Sequence, residues 1–156
     1  MQIHTLNSEE WTKAVAIGVA VSILTGLITL VGLKAGISPL PKPLGLAFAE
    51  TLWESALPLP VGLLFHAVWV TGFSVVYFLL FADALTFMRA FWLAFVLWIA
   101  TLVFFFPVVD WGFLGLAVTP KVIVAAAVLH LLFAVFLWGL ARMTFGARIE
   151  NHSARA

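Results

Sequence analysis

The chain contains no cysteine. That absence removes disulfides, iron–sulfur clusters and thiolate zinc sites, and it leaves the redox character of the compartment unread. Charge is nearly as scarce, at 10% of 156 residues against about 25% in an ordinary soluble domain. The net charge of +1 is spread without a basic run able to track a phosphate backbone, which argues against a nucleic-acid partner. Long polar stretches are missing too: none exceeds about 15 residues, so a separate soluble module has no room. No GxSxG, HExxH or phosphate-loop motif is present, and Ser74 and Thr71 have no base assigned to them. The expected role is non-enzymatic.

What the chain has in abundance is apolar surface, 64% hydrophobic residues at a mean hydropathy of +1.16. Residues 1–156 read as one integral membrane domain of the all-α class, an antiparallel four-helix transmembrane bundle with a short interfacial helix. Asn7, Ser8, Glu9 and Glu10 resemble a helix start. Ala14 to Leu33 then runs without a charge, matching the roughly 20 residues that cross ~30 Å of hydrocarbon. Acidic Glu9 and Glu10 stand where a cleavable signal peptide has basic residues, so this segment is expected to be retained. The spans are expected at about residues 11–33, 61–81, 89–106 and 120–141, with a polar tail after Arg142. The short link after residue 81 makes spans two and three an antiparallel hairpin. Pro39, Pro41 and Pro43 force an extended entry to residues 43–56, whose apolar face suits a helix in the membrane interface. A re-entrant segment is the alternative.

Basic residues near the span ends set the orientation. Lys13, Arg89, Arg142, Arg148 and Arg155 fall on one side, and Lys34, Lys42 and Lys121 on the other. This excess places both termini in the cytoplasm. In the first span Gly18, Ser22, Thr25, Thr29 and Gly32 recur at intervals of four and three. They form one small, hydroxylated face that should pack on protein. Leu44-Gly45-Leu46-Ala47 recurs as Leu114-Gly115-Leu116-Ala117, a match that a Leu-, Gly- and Ala-rich chain produces easily and that carries little weight as a duplication.

Two of the four histidines, His66 and His130, lie inside spans. They stand about 9 and 15 Å into helices that enter from the same side, and an ionisable group at that depth raises a functional question. Glu50, Glu54, Asp110 and Lys121 crown the same outer face as a polar cluster. Three uses of the histidine pair are open: packing, in which each bonds a hydroxyl or carbonyl on the next helix; a haem or metal ion held between them, imidazole being a suitable ligand; or a proton relay with Glu50 in a small transporter. The first needs no cofactor. The lipid bilayer is the expected partner, with other membrane proteins or self-association beside it.

The four-span layout, with SPLPKPLGLAFAE before the second span and LPVGLLFH within it, resembles small four-span bacterial inner-membrane proteins of unassigned activity. The resemblance covers most of the chain. It implies an inner-membrane, multi-pass setting and carries over no catalytic or binding residue.

Overall fold

The computed structural model describes residues 5–82 and 84–153, with side chains as far as residue 145. The helices, in order, are α1 (Ser8–Lys34), α2 (Leu44–Trp53), α3 (Leu59–Phe81), α4 (Phe87–Ala100), a π-helical turn (Thr101–Phe105), α5 (Phe106–Val108), a 3-10 turn (Phe113–Gly115) and α6 (Lys121–Ser153). Ser8–Lys34, Leu59–Phe81, Phe87–Val108 and Lys121–Phe145 are long and apolar enough to cross a membrane. The chain is a helical bundle with the form of a multi-pass membrane protein.

The ends of the helices follow local chemistry. Asn7 Oδ1 accepts from Glu10 N at 2.9 Å, and Glu10 Oε2 accepts from Asn7 N at 2.9 Å. This reciprocal cap satisfies two otherwise orphaned donors, and it starts α1 at Ser8, three residues before the expected Trp11. Thr86 Oγ1 caps α4 by accepting from Arg89 N at 3.4 Å. At the other end of the chain α6 runs on to Ser153, where the sequence led us to expect a stop at Arg142. The apolar stretch ends there, but no proline follows, and arginine is a good helix former. Phe145 still packs on Phe78, with ring centroids 5.2 Å apart. Among the basic residues used for orientation, the side chain of Arg148 and all of Arg155 lie outside the described residues.

Around the bundle the order is α3, α1, α6, α4, each packed against the next. The hairpin expected of α3 and α4 holds only near its link, where Tyr77 donates to Thr86 O at 3.1 Å; farther along, the two backbones stand apart and each rests on a non-sequential neighbour. The predicted small-residue face of α1 explains part of this. Gly18, Ser22 and Thr25 are buried, and a Cβ added at Gly18 would stand 2.8 Å from Thr71 Cα. The backbones of α1 and α3 therefore touch there as only glycine permits. A second close crossing sets α2 on the start of α3: a Cβ at Gly45 would lie 2.6 Å from Gly62 O, and one at Gly62 would lie 2.6 Å from Leu46 Cα. The two Leu-Gly-Leu-Ala segments do not share a conformation. Leu44 opens α2, whereas Leu114 sits at φ 57 in the 3-10 turn.

The interior divides into two apolar cores. One, nearer the termini, is built from side chains that include Ala14, Val21, Tyr77, Phe78 and Leu137. The other lies under the long loops and includes Leu102, Phe106, Trp111 and Val122. Lys13 Nζ stands 5.9 Å from the Phe145 ring, so the start of α1 and the late part of α6 occupy one end of the bundle.

Candidate functional site

Between the two cores lies a cavity of about 210 Å3. All four long helices and α2 contribute to its wall, and both His66 and His130 line it, together with Thr25, Thr29 and Thr101. His66 is the eighth residue of α3 and His130 the tenth of α6. The helices run in the same direction from the loop end, so the rings reach comparable depth. The polar groups form a belt in one half of the bundle.

Each imidazole is tied to a different helix. His66 Nε2 is 3.2 Å from Ser22 O and 3.1 Å from Thr25 Oγ1, both on α1. A carbonyl oxygen can only accept, so Nε2 carries the proton and donates to this pair. Thr25 can accept because its own hydroxyl donates to Val21 O at 2.8 Å. In neutral His66 the lone pair is then on Nδ1. His130 has the opposite tautomer: its Nδ1 donates to Ala126 O at 2.8 Å, one turn back in its own helix, and its Nε2 accepts from the Thr101 hydroxyl at 3.3 Å. Both ring nitrogens of His130 are engaged. One nitrogen of His66 is left over.

Thr101 opens the π-helical turn, in which Phe106 N reaches back to Thr101 O. The cause is six residues away. Pro107 has no N–H, and its ring would collide with the carbonyl four residues earlier in a regular helix. One extra residue in the turn relieves that crowding, as such bulges do, often at functional sites. Thr101, still in the register of α4, lines the cavity beside His130, and the turn after it puts Phe105 against Trp69 and Phe48, with centroids 5.3 Å away in each case. These three rings, with Phe73 stacked on Trp69 at 5.8 Å, bridge the gap between α3 and α4.

The residues singled out from the sequence are placed as follows. His66 and His130 border one cavity. Of the α1 face, Ser22 and Thr25 hold His66, Thr29 lines the cavity, Gly18 packs on α3, and a Cβ at Gly32 would meet Ser38 at 3.6 Å. Glu50, Glu54, Asp110 and Lys121 share the loop end of the molecule but none lines the cavity. Glu50 instead accepts from Lys42 Nζ at 2.6 Å and from Leu57 N at 3.3 Å, and these bonds hold its carboxyl below its ordinary range. Glu54 closes α2 at φ 50, Asp110 turns at φ 60, and both are exposed, as is Lys121. Among the described residues no three His, Asp or Glu side chains come together in a way that could hold a metal ion. The sequence reading missed Thr101 and the bridging aromatics. A hydroxyl six residues before a proline inside a span was the available signal.

Compared with known proteins, the chain matches no family model, no curated protein and no solved structure.

Proposed function

We propose that this chain is a non-enzymatic component of a bacterial inner membrane, an accessory or structural subunit of a larger membrane assembly, with both termini in the cytoplasm. The observation that carries this reading is the sealed core at the terminal end of the bundle. Val21, Tyr77, Phe78, Ala134 and Leu137 have at most 1% of their surface exposed, and they fill the space through which a solute or proton leaving the histidine belt would have to pass. A conduction path needs polar groups or water along its length. The polar belt here ends against hydrocarbon, and its two imidazoles are tied across helices to Ser22 O, Thr25 and Thr101, bonds of the kind that hold membrane bundles together.

A haem or metal ion between His66 and His130 is the second reading, favoured by the placement of both rings on one cavity. Two features weigh against it. Both nitrogens of His130 are already bonded, and about 210 Å3 is below the ~300 Å3 at which pockets for drug-sized ligands begin.

Native electrophoresis of membranes solubilised in a mild detergent tests the first reading, with the expectation that the chain migrates in an assembly of fixed stoichiometry. Migration as a lone chain, together with pH-gradient-driven proton uptake into proteoliposomes that His66→Ala abolishes, would overturn it. A visible absorption band or stoichiometric iron in protein from cells supplied with iron and haem precursors would establish the second reading instead.

A further inference from the structure

We propose that the cavity is a binding site for a small, lipid-soluble ring compound bearing a hydroxyl group, which enters from the bilayer between α3 and α4 and donates its hydroxyl proton to His66 Nδ1.

The polar demand comes from the tautomer. The Cδ2–Nε2 edge of His66 lies on α1, where a Cβ at Gly26 would be 3.5 Å from Cδ2, so the Nδ1 edge faces away from α1. No sealed side-chain nitrogen or oxygen lacks a partner among the described residues. Unpartnered Nδ1 therefore keeps accessible surface, and the cavity is a space that His66 borders. It can only accept. An alcohol or phenol satisfies it; a ketone or an ether does not.

The remaining wall selects for an apolar, flat body. Phe48, Trp69, Phe73, Phe105 and Phe133 line it, and aromatic faces favour stacked or edge-on rings. Among the described residues no carboxylate, lysine or arginine is in the lining, so an ion would enter without a counter-charge from them. The hydroxyls of Thr25 and Thr29 already donate to Val21 O and Thr25 O, so toward a guest they can only accept. A cavity of about 150 Å3 accepts benzene. At about 210 Å3 the site suits two fused rings, roughly ten to twelve non-hydrogen atoms.

The route in is the seam. The backbones of α3 and α4 are not in continuous contact, and the gap is spanned by the rings of Phe48, Trp69 and Phe105, which come from three different elements. Trp69 is 39% exposed at the surface. Rotation of such side chains, a nanosecond event at exposed positions, widens the passage.

The test uses the full chain in lipid nanodiscs and equilibrium dialysis against empty discs of the same lipid. Three probes are compared: 2-naphthol, which donates; 2-methoxynaphthalene, which only accepts; and naphthalene, which does neither. The expected result is saturable one-to-one binding of 2-naphthol, about five- to tenfold tighter than either companion, as one hydrogen bond permits. In His66→Phe the preference should vanish while binding of the three persists at one common affinity. Ala100→Phe, which puts a ring into the cavity wall, should remove binding of all three. Equal affinities in the unmodified protein, uptake no greater than in empty discs, or an unchanged preference in His66→Phe would each overturn the proposal. The unmodified protein decides the matter by itself if either variant fails to fold.

Discussion

Replacing Thr101 by valine should destabilise the bundle more than replacing Thr25 by valine, although each change deletes one hydroxyl next to one histidine. The difference lies in what remains. When Thr25 is lost, the proton on His66 Nε2 still has Ser22 O at 3.2 Å, and the geometry needs little adjustment. When Thr101 is lost, His130 Nε2 has no second donor, because Nδ1 keeps the only ring proton on Ala126 O. Interhelical hydrogen bonds in membrane proteins are worth about 0.6 kcal/mol on average and about 1.7 at most, and an acceptor left bare in a buried site costs about 1–3 kcal/mol. Thr101→Val should therefore cost about 1 kcal/mol or somewhat more, and Thr25→Val less than about 0.5 kcal/mol. Reversible unfolding in mixed lipid–detergent micelles measures both. A double-mutant cycle of Thr101→Val with His130→Phe should return a coupling near 0.6 kcal/mol, and the cycle of Thr25→Val with His66→Phe a smaller one. Equal costs for the two threonines, or zero coupling between Thr101 and His130, would refute both the tautomer assignment and the argument built on it.

Gly62→Ala should cost about 1–3 kcal/mol, the range for overpacking, because its Cβ would stand 2.6 Å from Leu46 Cα; unchanged stability would mean that α2 does not cross α3 so closely. Tyr77→Phe removes the bond to Thr86 O in a fully buried ring and should lower stability by about 0.5–1.5 kcal/mol, read by thermal unfolding. The Glu50 carboxyl is held below its ordinary range first by the Lys42 hydrogen bond and then by Leu57 N. A depressed folded-state value makes its contribution complete above the unfolded value of ~4.3 and lost as pH falls through the lower folded value. Protease cutting within residues 35–43 should accordingly rise only on acidification below that point, and Glu50→Gln should abolish the pH dependence.

The class of the protein and its four spans were legible because a charge-free run of about twenty residues has one physical meaning in lipid. Of the expected α1 packing face, Gly18, Ser22 and Thr25 are buried, whereas Thr29 lines the cavity and Gly32 faces Ser38 of the following loop; helical spacing of small residues gives a face but not how far along it the neighbour reaches. Neighbour choice was not legible. Nothing in the apolar runs of α3 and α4 says that a short link joins helices that rest on other partners, because hydrocarbon-facing and protein-facing leucines look alike without a polar contrast. Thr101 was missed although it keeps the register of α4, its N–H bonding back to Leu97 O; the π-helical turn shifts the residues after it, Phe105 among them. The outer cluster of Glu50, Glu54, Asp110 and Lys121 was read from proximity to one membrane face, and proximity does not specify direction: Glu50 of α2 turns to Lys42 in the loop that precedes the helix.

The order of helices around the bundle also has a consequence for how the chain is made. When α3 leaves the ribosome its partner α1 is already in the membrane, so that pair can dock at once. Phe87 and Trp98 of α4 end against Trp138 and Ile123 of α6, and α6 is synthesised after α4. At about 5–20 residues per second, α4 waits some seconds in lipid before its partner arrives. During that interval the nascent protein is a docked pair with one unpaired span, and both the cavity and the seam come into being only when α6 closes against it.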